Sequence, residues 1–211
     1  MTIHIFGDSH ATIEFSGWKD CKNVITHHLG PVLCYSFGRD NLKKCNINNY
    51  ELKNNDTLIF CFGEIDCRCH IHKYIKNFNY KIIIEGIIKK YIEAININLK
   101  NCKIKFKNIC IFNIVPPVKK NKIKENSNYP FLGTDEERKQ YINYFNQILK
   151  KSCEENNFIF FDIYDYYCDE EGFLKYELSD GNVHIKDGKY FQKFIDENNL
   201  KFFYNKLFMS L

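Results

Sequence analysis

Three apolar runs constrain this chain more than anything else in it: Thr57–Phe62 (TLIFCF), Asn108–Val115 (NICIFNIV) and Phe158–Ile163 (FIFFDI). Each is too short to be a helix, rich in β-branched and aromatic residues, and stopped by Gly, Pro or a polar turn. Continuous rather than alternating apolar character marks strands covered on both faces, which is the signature of a parallel sheet. Thr2–Phe6 reads as a further strand ending in a turn at Gly7, and Val24–Thr26 as another; Pro31–Ser36 is apolar and ambiguous.

Between the runs the period changes from two to 3.6. From Tyr74 to Leu99, Ile75, Phe78, Ile82, Ile83, Ile87, Ile88, Tyr91, Ile92 and Ile95 recur at helical spacing. Thr134-Asp135-Glu136-Glu137 is a capping box, Thr134 at the N-cap and Glu137 at N3, opening a helix with Tyr141, Ile142, Phe145, Ile148 and Leu149 on one side. A last helix is expected over roughly 187–208. Strand–helix alternation implies βαβ units, so the expectation is one α/β domain over residues 1–211: a three-layer α/β/α sandwich on a parallel sheet.

Composition excludes several classes. No apolar run nears the ~20 residues of a membrane span, and the start, MTIHIFGDSH, carries no secretory signal. The net charge of +4 is mild and the 30 basic residues are spread along the chain. The nearest thing to a basic patch, Lys119, Lys120, Lys122 and Lys124, reads as a solvated loop, so neither nucleic acid nor membrane is expected as a partner. Ten cysteines without a signal peptide fit free thiols in a reducing, cytoplasmic compartment. Cys67-Arg68-Cys69-His70-Ile71-His72 has the wrong spacing for a zinc knuckle and no second ligand pair. Cys61 lies inside a buried run, and His70 and His72 are expected to begin the following helix and line a pocket rim.

Ligands of open α/β sheets bind beyond the carboxyl ends of the strands. The residues there are Asp8-Ser9-His10, Gly38, Gly63 to Arg68, Asn113, and a late loop holding Asp180 and His184. A serine hydroxyl needs a base to take its proton, and the base needs orienting. His184 lies before the last helix, with Asp180 four residues ahead of it.

Gly7-Asp8-Ser9-His10 near the start, with Asp180…His184 near the end, resembles the GDSL/SGNH hydrolase superfamily, and Gly38 and Gly63-Glu64-Ile65-Asp66 extend the likeness over nearly the whole chain. The resemblance implies a flavodoxin-like fold and a serine esterase or O-acyltransferase acting on ester-linked acyl groups, often acetyl groups of carbohydrate. It implies Ser9 as nucleophile, His184 as base, Asp180 as orienter, and the N–H groups of Ser9 and Gly38 as oxyanion hole. Asp8 joins the substrate-binding set as part of the first motif. No metal or organic cofactor is called for, and the partner is a small ester or glycan substrate.

Two departures follow. Ile65 stands where the family has an asparagine donor, so either the hole has two backbone donors or Arg68, Asn113 or Asn182 supplies a third. Asp180 and His184 are one residue further apart than usual. Either Asp180 reaches through Gly181, or Asp187 replaces it, or Ser9 and His184 act as a dyad. These departures also motivate a non-catalytic binding protein as an alternative, with a metal-dependent hydrolase behind it. Glu64 and Asp66 read as partners of Arg39 or Arg68 beneath the site rather than as a glycosidase pair, and Tyr164, Tyr166, Tyr167 and Phe173 as packing or a sugar-stacking surface.

Overall fold

The computed structural model describes residues 1–200. Its sheet has five parallel strands, β1 (Ile3–Gly7), β2 (Val24–His28), β3 (Thr57–Cys61), β4 (Asn108–Phe112) and β5 (Ile159–Phe161), in the order β2-β1-β3-β4-β5. β1 and β3, at the centre, are buried at every position. β2 lies at an edge and is only half-buried, which suits its Thr-His-His sequence.

Alternate strand residues face opposite layers. Phe6, Leu58, Phe60 and Ile111 pack with α1 (Cys34–Asp40), α2 (Tyr80–Asn101) and α3 (Asp135–Glu155). Ile3, Ile5, Ile59, Cys61, Cys110, Phe112 and Phe161 pack on the other face with Trp18, Tyr167 of the short α4 (Tyr164–Tyr167) and Phe191 and Ile195 of α5 (Lys189–Glu197). The expected three-layer α/β sandwich is therefore present. Trp18 is fully buried among the rings of Phe112, Phe161 and Phe191, at centroid distances of 4.5–5.6 Å. Each buried ring of this kind contributes a few kcal/mol, on the order of 1.5–3 by area.

Local chemistry sets the helix ends. The capping box is complete: Glu137 N–H donates to Thr134 Oγ1 at 3.1 Å, and Thr134 N–H to Glu137 Oε2 at 2.7 Å. α2 starts at Tyr80 rather than Tyr74, because Asn79 Oδ1 accepts from Lys81 N–H and caps it there. The stretch before it is a wide π-helical turn, Asp66–His70, followed by a 3-10 turn, Ile71–Lys73, so His70 and His72 precede α2 instead of opening it. Pro31–Ser36 resolves into a loop and the first residues of α1. α1 has no cap of its own at Leu33; the buried Asp66 supplies one from β3's loop, accepting from Cys34 N–H at 2.6 Å and Tyr35 N–H at 3.0 Å. The last helix begins at Lys189 and ends at Glu197; the part expected beyond Leu200 lies outside the described residues.

Strand order reverses between β1 and β3. That switch point opens a crevice beyond the carboxyl ends of the two strands, where Ser9 and the Gly63–Arg68 segment lie.

Candidate active site

β1 ends at Gly7, and Asp8 caps the turn that follows. Its Oδ1 accepts from His10 N–H at 2.9 Å, which folds Ser9–Ala11 into a single turn. That turn presents the Ser9 hydroxyl to the crevice. His184 Nε2 lies 2.9 Å from Ser9 Oγ, and His184 Nδ1 lies 2.7 Å from Asp180 Oδ2. The chain of bonds runs carboxylate–imidazole–hydroxyl, the arrangement that lets a ring take a hydroxyl proton while its other nitrogen stays fixed.

The extra residue between Asp180 and His184 is absorbed by the backbone. Gly181 adopts φ +81°, a left-handed turn that glycine enters without strain. Asp180 Oδ1 then accepts from Asn182 N–H at 2.8 Å and His184 N–H at 3.2 Å, and its own N–H donates to the His184 carbonyl at 3.0 Å. Burial opposes the Asp180 charge, yet the bonds from His184 and the two backbone donors outweigh it and hold the carboxyl below its ordinary range. Asp187 does not take this position. Its Oδ1 accepts from Lys189 N–H and its carbonyl from the Tyr167 hydroxyl.

The other expected residues fare differently. Gly38 is not at the crevice. It sits in α1 where that helix crosses α2, and a Cβ there would lie 2.8 Å from the Lys90 Cβ and 3.0 Å from the backbone of Lys90 and Tyr91. The glycine allows close helix contact; it offers no free donor, since it lies in the body of α1.

Arg68 is also committed elsewhere. Its Nε and Nη2 bind both oxygens of Glu64 at 2.7 and 2.9 Å, its Nη1 binds the Tyr129 carbonyl, and its guanidinium lies over the Phe131 ring. This buried fork ties the 119–134 loop to the end of β3. Burial raises the cost of the Glu64 charge, and Arg68 with the nearby His10 and His184 overcomes it, so Glu64 is held below its ordinary value. Arg39 pairs with Asp40 at the surface instead.

Asn113 spends its side chain on backbone, accepting from Ile163 N–H at 3.0 Å and donating to the Ile114 carbonyl at 2.8 Å. It stitches the ends of β4 and β5 together. Asn182 is exposed at the turn, and Ile65 is buried. The structure thus brings Asp8, Ser9, Asp180 and His184 together, and leaves Gly38, Arg68 and Asn113 in supporting positions.

The cysteine and histidine cluster is dispersed into packing. Cys61, Cys67 and Cys69 are buried free thiols, and burial pushes Cys69 up to about 11. His70 lies between the rings of Tyr35 and Tyr74, and His72 meets the Tyr141 hydroxyl at 3.1 Å. Among the described residues no group of three or more His, Cys, Asp or Glu is placed to hold a metal ion, and no helix is long and apolar enough to cross a membrane. Tyr167 is core, Tyr166 stacks on Tyr190 at 4.5 Å, and Phe173 lies under the Lys119 and Lys139 ammonium groups.

One residue that the sequence places beyond β1 without assigning it a role stands out. His10 is buried beside His184, ring centroids 4.7 Å apart, with Nδ1 3.1 Å from Asp8 Oδ1. Its only sequence signal was its place directly after the serine.

Neither a family model nor a curated protein matches the sequence. Solved structures do match in fold. A Streptococcus pneumonia protein provisionally assigned as a platelet activating factor superposes with a TM-score of 0.65 at 15% identity, covering 95% of this chain and 84% of that one. A GDSL-like lipase from Bacteroides thetaiotaomicron gives 0.60 at 13% identity, over 94% and 87% of the two chains. An acetylxylan esterase from Geobacillus stearothermophilus gives 0.56 at 12% identity, over 96% and 94%. The chain has the GDSL/SGNH hydrolase fold.

Proposed function

We propose that the protein is a serine hydrolase that cleaves ester-linked acyl groups, with acetyl groups on a carbohydrate or related small ester as substrate. The observation that carries this reading is the unbroken chain from Asp180 through His184 to Ser9, with links of 2.7 and 2.9 Å. In this reading Ser9 Oγ attacks the acyl carbonyl as His184 Nε2 takes its proton. Asp180 keeps Nδ1 protonated and stabilises the imidazolium that forms. The ring then returns the proton to the leaving alcohol, and water, activated by the same ring, releases the acyl group. If a sugar hydroxyl enters in place of water, the same steps make an O-acyltransferase.

The oxyanion needs backbone donors, because Ile65 has none to give. β1 Gly7 pairs with β2 His28 and with β3 Cys61, so Ser9, Gly30 and Gly63 each stand two residues past matched strand ends. In this reading the Ser9 and Gly30 N–H groups serve as the donors, each contributing roughly 2.7–4 kcal/mol to the transition state. The acetyl and carbohydrate preference is supported by the family resemblance and by the fold shared with an acetylxylan esterase.

The reading is tested by labelling with a fluorophosphonate and by turnover of p-nitrophenyl acetate. Wild type should be labelled and active, and Ser9→Ala should lose both. A folded wild type that neither labels nor turns over overturns the reading in favour of a non-catalytic protein on this fold.

A further inference from the structure

The peptide unit joining Val183 to His184 is gripped from both sides. Its N–H donates to Asp180 Oδ1 at 3.2 Å, and its carbonyl, that of Val183, lies 3.2 Å from His10 Nε2. The first contact is local to the loop. The second reaches across 173 residues of sequence from the turn that carries Ser9.

We propose that Asp8 and His10 are a positioning pair: Asp8 holds the His10 ring, and His10 donates to the Val183 carbonyl, which fixes the His184 backbone against the Ser9 turn. The inference rests on the catalytic reading of Ser9 and His184, and extends it to residues outside the proton path.

The ring's two neighbours define its charge. Nδ1 faces a carboxylate oxygen and Nε2 faces a carbonyl oxygen, both acceptors. A neutral imidazole has one N–H and would leave one acceptor facing a lone pair; only the imidazolium satisfies both. The groups around it are Asp8 on its own turn, Glu64 from the end of β3, and His184 from the late loop. Burial works against the charge, and the Asp8 bond, the Asp8 and Glu64 charges and the Val183 carbonyl together outweigh it, keeping His10 above the ordinary histidine range. Asp8 is almost wholly buried, and its second oxygen, Oδ2, has no protein partner. Asp8, His10 and Glu64 line one small cavity. Asp8 is the carboxylate in direct contact with the ring, while Glu64, already forked by Arg68, acts on it only through its charge.

Such a clamp matters because a base misplaced by about 1 Å can cost on the order of a hundredfold in rate. The turn bearing Ser9 and the loop bearing His184 come from opposite ends of the sequence. Gly17 N–H anchors the loop one residue beyond, donating to the Ile185 carbonyl at 2.8 Å, but at His184 itself the Ser9–His184 bond is one that must break and reform during turnover. The His10 contact bridges the same two segments and takes no part in the proton transfer.

The test compares wild type with His10→Phe and His10→Gln by two routes. Phenylalanine keeps a buried ring without donors, whereas glutamine keeps an amide donor for the Val183 carbonyl without the charge. The first route needs no activity: side-chain NMR should find both His10 ring nitrogens protonated at neutral pH. Amide exchange at His184 should quicken about tenfold in His10→Phe and stay near wild type in His10→Gln. The second route is kinetic. His10→Phe should lower kcat and the fluorophosphonate labelling rate by roughly ten- to a hundredfold, with KM changed less than about threefold. His10→Gln should recover most of that loss.

A neutral His10 ring at neutral pH, or His184 exchange unmoved by His10→Phe, overturns the clamp whether or not the protein hydrolyses esters. So does equal loss in the two variants. A wild type without Ser9-dependent turnover overturns the hydrolase reading instead, and the NMR arm still decides the clamp.

Discussion

The Asp180 carboxylate touches His184 twice, once through Oδ2 to the ring Nδ1 at 2.7 Å and once through Oδ1 to the backbone N–H at 3.2 Å. One carboxylate therefore fixes both where the residue's main chain runs and how its ring is turned. The four-residue spacing permits this because the turn at Gly181 brings the His184 backbone back over the carboxylate.

Replacing Asp180 by asparagine should leave the fold intact and lower kcat by roughly a thousand- to ten-thousandfold. The amide can still sit beside the ring but favours the wrong tautomer, with the proton on Nε2. Steady-state turnover of a p-nitrophenyl ester, with circular dichroism as the fold control, measures it. Loss of less than about tenfold would return the site to a Ser9–His184 dyad.

Acid should undo the site from its carboxylates. Asp180 and Glu64 are both held below their ordinary values of 3.8 and 4.5, so the folded state binds their protons less readily than the unfolded chain does. Their stabilisation is fully present above those ordinary values and is lost as pH falls through the lower folded ones. Chemical denaturation from pH 6 down to about pH 3 should show stability falling, and Asp180→Asn should flatten part of the slope.

The Glu64–Arg68 fork makes a different prediction. Both side chains are about 10% exposed, so removing one strands a buried charge. Arg68→Leu alone should destabilise by about 3–5 kcal/mol in urea unfolding, while Glu64→Leu with Arg68→Leu should recover much of the loss. If the single and double variants lose equally, the pair is held by its loop contacts rather than by charge.

Gly38 separates packing from chemistry. Gly38→Val puts methyl groups into the backbone of Lys90 and Tyr91, where even a Cβ is too close, and should cost about 1–3 kcal/mol as α1 is pushed off α2. Activity per folded molecule should be unchanged. A drop in kcat of about a hundredfold at full stability would instead restore Gly38 to the oxyanion hole.

The contrast between Gly38 and Ser9 shows what the sequence made legible. Ser9, Asp180 and His184 announce themselves locally, as polar residues directly beyond apolar runs or in a Gly-containing turn. The parallel sheet was legible for the same reason, since burial on both faces is written into each run separately. Gly38, Arg68 and Asn113 look equally plausible in one dimension, but each is claimed by a partner far along the chain: Lys90, Tyr129 and Ile163. His10 is visible in the sequence beside Ser9 but its role is not, because its partner is a carbonyl that carries no side-chain signal. The Ile65 substitution was readable as a missing donor; the register offering Gly30 in its neighbourhood was not.

The Ser9–His184 contact spans 175 positions, and that separation ties function to the order in which the molecule is completed. During synthesis Ser9 emerges 175 positions ahead of His184, so a chain halted between them holds the serine without its proposed base. Closing so long a loop is among the slower events a fold must accomplish. Ester turnover in a refolding experiment would therefore lag the signals of sheet formation, and would serve as a chemical clock for the moment these two segments meet.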